Sequence, residues 1–226
     1  MTDLDRRSML AAGAVLAAGA AAGAAAQTPA AEPISYDPQP LPFDPTAIEG
    51  LSEQLLRSHH ERNYSGAVRR LGAIQTELAG LDPAATPGFT LNGLKREELI
   101  ALNSMILHEV YFAGFNDQTA PGDALAAQIE TDFGSLDRWS AEFAAMGRAL
   151  GGGSGWVLLT WSPRAGRLIN AWAFDHSMTA ADGRVLLALD MYEHSYAMDY
   201  GADAGGYVEA FMAAKGWAHA DAAFAA

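Results

Sequence analysis

The sequence predicts an α+β protein: a long N-terminal α-hairpin followed by a C-terminal domain with a three-stranded antiparallel sheet covered by helices. Three observations predict it. Apolar residues recur at helical spacing over residues 48–79 and 94–115. The run Gly151-Gly152-Gly153-Ser154-Gly155 then ends the helical pattern. Beyond it lie short, continuous apolar runs at residues 156–161, 168–174 and 185–189. Runs of that length suit strands with both faces buried.

The elements follow in order. Arg6-Arg7 precedes an uncharged Ala/Gly/Leu/Val run over residues 9–26 that ends in Ala24-Ala25-Ala26. Charge, apolar core and small-residue exit predict an export signal peptide over residues 1–26, and so an exported protein, periplasmic or secreted. A membrane-spanning helix is the alternative, but Ala and Gly make the run weakly apolar. The arginine pair resembles a twin-arginine signal, which would make the twin-arginine export machinery a partner in transit; an ordinary secretory signal is the alternative. Residues 27–45, rich in Pro and Ala, read as an extended arm or linker.

Residues 46–117 read as the α-hairpin domain. Leu51, Leu55 and His59 fall at i, i+4 and i+8 on one helix face. Gly80 stops that helix, and Leu99, Leu102 and Ile106 mark the apolar side of the second. The polar break at residues 116–122 opens the α+β domain, residues 118–226. It holds helical patterns at 124–133 and 136–150, the three strands, and a last helix at 207–215.

Composition narrows the chemistry. Among 226 residues there are 14 Lys and Arg against 27 Asp and Glu, a net charge of −13, which argues against nucleic acid as a partner. There is no cysteine, so disulfides, thiolate nucleophiles and iron–sulfur clusters are excluded, and any metal must be held by His and carboxylates. The six histidines are His59, His60, His108, His176, His194 and His219. His59 and His108 sit on apolar helix faces, where a hydrogen-bonded core histidine is the bland reading; together they set one imidazole on each arm of the hairpin. His219, near the tail, reads as exposed. The strand at 185–189 ends in Asp190, with His194 four residues on. A carboxylate at the end of a buried strand is costly unless it is paired or binds a metal. Three imidazoles and a carboxylate suit iron or manganese, and zinc takes the same ligands.

These residues resemble the iron/manganese superoxide dismutases over roughly residues 43–207. Leu189-Asp190-Met191-Tyr192-Glu193-His194-Ser195-Tyr196 is similar to that family's Asp-x-Trp-Glu-His-x-Tyr signature, with Tyr192 in place of Trp. Asp132-Phe133-Gly134-Ser135, Gly153-Ser154-Gly155-Trp156 and His59-His60 also look like family segments, and Leu107-His108 stands where the family has Asn-His. The resemblance implies one iron or manganese ion per subunit, held by His59, His108, Asp190 and His194. A slip of one residue would substitute His60 for His59; the helix face favours His59. It implies that Asp190 accepts a hydrogen bond from metal-bound solvent, that Trp156 walls the site, and that His176 of Asp175-His176 supplies the outer-sphere contact. It further implies a homodimer in which Glu193 reaches the partner's His194 and Tyr196 lies behind that interface. At the substrate gateway the family has His and Tyr; here these positions are Asn63 and Ala67. Tyr64, roughly 140° round an α-helix from His59, is not an obvious replacement.

The resemblance thus implies superoxide dismutation to O2 and hydrogen peroxide. Two alternatives stay open on the sequence: a metal-binding, dismutase-like protein with slow or lost turnover, which Ala67 favours, and another small-molecule redox activity. Arg57, Arg62, Arg69 and Arg70 surround His59 in sequence and read either as a basic patch for an anionic substrate or as a solvated face.

Overall fold

The structure, a computed structural model, describes residues 37–226. The expected signal peptide and the first part of the arm lie outside the described residues. The first long helix is a continuous rod in three pieces: α1 (Glu53–Ser58), a π-helical turn (His59–Tyr64) and α2 (Ser65–Ala79). It starts at residue 53 rather than 48, because Ser52 caps it. The Ser52 hydroxyl accepts the Leu55 N–H at 3.1 Å and itself donates to Asp199 at 2.7 Å. The second arm, α3 (Gly88–Ala113), begins at Gly88, directly after Pro87, and packs antiparallel along the first.

Next come α4 (Asp123–Phe133) and α5 (Leu136–Leu150). Between them Gly134 adopts a left-handed conformation (φ 88°) that a side chain would strain, and Ser135 caps α5 by accepting the Arg138 N–H. The three strands are β1 (Trp156–Ser162), β2 (Arg167–Ala173) and β3 (Arg184–Asp190), in antiparallel order β2-β1-β3. Val157, Leu158 and Leu159 of the central strand are fully buried in succession, as expected of a sheet covered on both faces. A short 3₁₀ turn (Glu193–Ser195), α6 (Ala197–Tyr200), α7 (Ala204–Ala214) and α8 (Ala218–Ala225) complete the chain.

Three further features depart from the sequence expectations. Helix α7 starts at Ala204, three residues early, because Asp203 caps it through the Gly206 N–H. Helix α8 was not expected at all: its Ala-rich sequence has no amphipathic period. Tertiary contacts hold it, with Arg184 donating to Ala223 O at 3.0 Å and Phe224 edge-on to Trp161. His219, expected exposed, is half-buried in α8 and faces a cavity with His60, Tyr64 and Glu109.

The register of the sheet places the chemistry. Trp156, the first residue of β1, lies opposite Asp190, the last of β3, and opposite Ala173, the last of β2. One end of the sheet therefore gathers Trp156, Asp190 and the chain leading to Asp175-His176. The hairpin brings His59 and His108 to the same end.

Candidate metal centre

Asp190 is the hub of the site. Its carboxylate is fully buried. One oxygen, Oδ1, accepts the Tyr192 N–H at 2.8 Å. The other, Oδ2, lies 3.0 Å from His59 Nε2, 3.3 Å from His194 Nε2 and 3.6 Å from His108 Nε2. Ligand atoms of these four residues all fall within 4.8 Å of one another. Three imidazoles cannot each satisfy a hydrogen bond on one oxygen, and His108 Nε2 and His194 Nε2 have no hydrogen-bond partner although buried. Spacings of 3.0–3.6 Å are those of donors about 2.1 Å from a common centre and about 90–120° apart, the reach of a metal–nitrogen bond. The donor set, hard carboxylate with three imidazoles, fits iron or manganese.

The surroundings prepare the ligands. His108 Nδ1–H donates to Ser104 O at 2.6 Å, which leaves Nε2 as the lone-pair nitrogen facing Asp190. The Asp190 backbone carbonyl accepts hydroxyl hydrogen bonds from Ser195 and Tyr207, each at 2.8 Å. Burial pushes the His108 pKa down to about 3 and lowers that of His59 as well, so both rings are neutral, the form that binds a metal. Burial also opposes ionisation of Asp190, but the neighbouring His194 and His59 outweigh it and hold the carboxyl below the usual range. An ionised carboxylate beside the neutral rings of His59 and His108 suits a cation.

The walls are aromatic. Trp156, fully buried, stands edge-on to His108 with centroids 5.2 Å apart. Tyr111 and Phe112 lie 4.9 and 5.2 Å from the His59 ring. Tyr192 is stacked between His194 and His176, at 5.4 and 4.8 Å. His176 Nδ1 accepts the Trp156 indole N–H at 2.9 Å.

The expected site residues fall into three groups. His59, His108, Asp190 and His194 converge, and His60 does not: its Nε2 donates to Gln39 O at 2.8 Å, so the one-residue slip is excluded. Asn63, Ala67 and His176 line one cavity of about 270 Å3 together with Arg62, Arg70 and Ser104. Glu193 and Tyr196 part company. Glu193 is exposed on the 3₁₀ turn, whereas Tyr196 is buried within the subunit, stacked on Tyr207 and accepting the Gly152 N–H at 3.3 Å. Of the four arginines, Arg57 pairs with Glu53 and Arg70 with Glu97, while Arg62 and Arg70 reach the cavity.

The π-helical turn corrects the angle expected for Tyr64. Ser65 N–H bonds to His60 O, an i+5 closure, and such a turn carries residue i+5 nearly back over residue i. Both His59 and Tyr64 are therefore buried in the hairpin. Even so, the Tyr64 hydroxyl donates to Glu109 at 2.9 Å and accepts the Gln39 N–H, and it lines a different cavity from Ala67. Its hydroxyl is thus committed away from the cavity that Ala67 lines. Sequence reasoning missed Ser104 and Tyr207. The spacing of Ser104, four residues before His108, was a signal for the first; nothing local pointed to the second.

Comparison with known proteins agrees with this geometry. The family of iron/manganese superoxide dismutases, C-terminal domain, matches residues 121–223. An iron superoxide dismutase of Cupriavidus metallidurans is 62% identical over 191 residues, covering 84% of this chain and 97% of the relative. A manganese superoxide dismutase of Halobacterium salinarum is 36% identical over 194 residues, covering 80% and 91%. A manganese/iron superoxide dismutase of Propionibacterium freudenreichii is 29% identical over 183 residues, covering 78% and 90%. These relatives align with both the hairpin and the sheet, so the buried Asp190 hub and its three imidazoles sit within a shared architecture: the chain belongs to the iron/manganese superoxide dismutase family.

Proposed function

We propose that the protein dismutates superoxide to O2 and hydrogen peroxide at one iron ion per subunit, working as an exported homodimer. The convergence of three imidazole Nε2 atoms on one buried carboxylate oxygen carries the reading. The 62% identity to an iron enzyme supports iron over manganese. His59, His108, Asp190 and His194 would hold the ion, which supplies the one-electron reduction and oxidation of successive superoxide anions.

The chain's own residues do the rest. Arg62 and Arg70 at the cavity give a local positive field for an anion, against the net charge of −13. Trp156, Tyr111 and Phe112 exclude bulk water from the ligands. His176 accepts at Nδ1, so in the neutral ring its proton is on Nε2, available to the site. Ala67 offers no proton, which leaves His176, Ser104 and Asn63 as the polar groups of the cavity besides the arginines. Exposed Glu193, one residue from His194, supports the dimer: a second copy would bring its carboxylate to the partly exposed His194 ring. The export signal rests on the Arg6-Arg7 pair and the uncharged run after it.

Pulse radiolysis on iron-loaded and manganese-loaded protein tests the activity, with His194→Ala as control. Catalytic decay of superoxide in the iron form, abolished in the control, is expected. Stoichiometric iron without catalytic decay would replace dismutation with metal binding alone. Sedimentation of wild type and Glu193→Ala tests the dimer. Cell fractionation of an Arg6→Lys, Arg7→Lys double variant tests the twin-arginine route.

A further inference from the structure

His176 is the site histidine outside the metal cradle, and it sits on irregular chain between β2 and β3. The bonds within that segment fix only its own turns: Ser177 N–H to Asp175 at 2.7 Å, Met178 N–H to Asp175 O at 3.3 Å and Gly183 N–H to Ala180 O at 2.8 Å. Such chain does not by itself hold an imidazole to the tolerance that chemistry needs. The ring is located by Trp156, which donates to Nδ1, and by Tyr192, stacked on its face at an 11° interplanar angle. The His176 main chain also bonds to the Tyr192 side chain, and Ser154 Oγ donates to Phe174 O at 3.4 Å, both on the sheet side of the segment.

Asn103 holds the main chain from the helix side. Its Nδ2 donates to the His176 carbonyl at 2.6 Å, across 73 residues of sequence. A carbonyl only accepts, so the amide nitrogen must face it and the orientation of Asn103 is settled. Asn103 lies on α3 next to Ser104, whose carbonyl takes the His108 Nδ1–H at 2.6 Å. One stretch of helix thus holds both a ligand imidazole and the backbone of His176. His108 and His176 ring centroids are 6.2 Å apart.

We propose that Asn103 is a positioning residue of the dismutase site: by fastening the His176 main chain to the ligand-bearing helix, it sets where His176 Nε2–H points relative to the cradle. The proposal rests on His176 being the outer-sphere donor, and the test separates the two. Iron-loaded Asn103→Leu, Asn103→Asp, His176→Ala and the Leu/Ala double variant are compared by the electron paramagnetic resonance spectrum of ferric iron, iron content, melting temperature and dismutation rate. Asn103→Leu and Asn103→Asp both remove the donor at nearly constant size, so a change common to both reports the lost hydrogen bond rather than an added charge. Both are expected to retain iron, to shift the ferric spectrum and to lower the rate about tenfold, the cost typical of groups that orient a metal's surroundings. In the His176→Ala background, Asn103→Leu is expected to shift nothing further. A wild-type spectrum and rate in both Asn103 variants overturns the proposal, as do equal effects with and without His176. If His176→Ala itself leaves spectrum and rate unchanged, the outer-sphere reading of His176 fails, and the role of Asn103 fails with it.

Discussion

The metal cradle and the cavity beside it are built from the same two helices under different constraints. In the cradle the four converging ligand atoms are buried, and their neighbours suit charge and tautomer: Ser104 O on His108 Nδ1, Tyr207 and Ser195 on the Asp190 carbonyl. In the cavity, Arg62, Asn63 and Ala67 face space of about 270 Å3 and share few bonds. An ionised carboxylate in a dry site is tolerable only when paired, and Asp190 is held at both carboxylate oxygens and at its carbonyl. A residue facing solvent-sized space carries no such cost, so a side chain as small as Ala67 is tolerated there. On the proposed function, the cradle would decide whether a metal is held and the cavity how fast an anion and protons reach it.

Asp190→Ala is expected to break that contrast most severely. It removes the hub of all three imidazole contacts. Retained iron should vanish and the dismutation rate should fall more than about 100-fold, beyond the cost of losing a group that merely orients a ligand. Metal analysis after gel filtration decides it; full iron occupancy would show that the imidazoles suffice.

Acid should act on the cradle before the cavity. The pKa values of His59 and His108 are depressed by burial, His108 to about 3, against an unfolded value of 6.5. Between those values the unfolded chain binds protons that the folded chain refuses. Stability of the metal-free protein is therefore unaffected by His108 above pH 6.5 and lost as pH falls toward 3, at up to about 1.4 kcal/mol per pH unit, and His59 adds a loss in the same direction. Asp190, whose folded carboxyl ionises below the usual range, adds to the loss below about pH 4. A melting temperature of the metal-free protein that stays flat from pH 7 to pH 4.5 would contradict neutral imidazoles in the cradle.

Ala67→Tyr sharpens the comparison from the other side. It places a phenol in the cavity and touches no ligand. Iron content should be unchanged, and turnover measured by pulse radiolysis should rise about tenfold, a modest share of what a positioned proton donor can contribute. Unchanged turnover would mean that His176 and Ser104 already supply protons fast enough. Tyr207→Phe carries the smallest expected effect. Ser195 still donates to the Asp190 carbonyl, so the lost hydroxyl should cost about 1 kcal/mol of stability in denaturant unfolding with iron retained.

Much of this was legible in the chain. The lengths of the apolar runs marked helices and strands correctly from residue 88 to residue 190 within a few positions, except for the early start of α3. The cost of burying Asp190 at the end of an apolar strand, with His194 four residues on, marked the site. The Ala-rich α8 was not legible because its stability comes from Trp161 and Arg184, far away in sequence. Nor was the position of Tyr64. A π-helical turn has no distinctive composition, and counting at 100° per residue put the side chain on the wrong side.

The sequence by itself determined the fold class, the absence of thiol chemistry and the ligand types, because periodicity and side-chain chemistry are local properties. Only the tertiary structure decided that His59 rather than His60 enters the cradle. It alone showed that Tyr64 turns to Glu109 instead of the gateway, and that Asn103 grips His176. Each of those depends on two groups 45 to 131 residues apart meeting within hydrogen-bond distance. No local pattern encodes such a meeting; it follows from the packing of the hairpin against the end of the sheet.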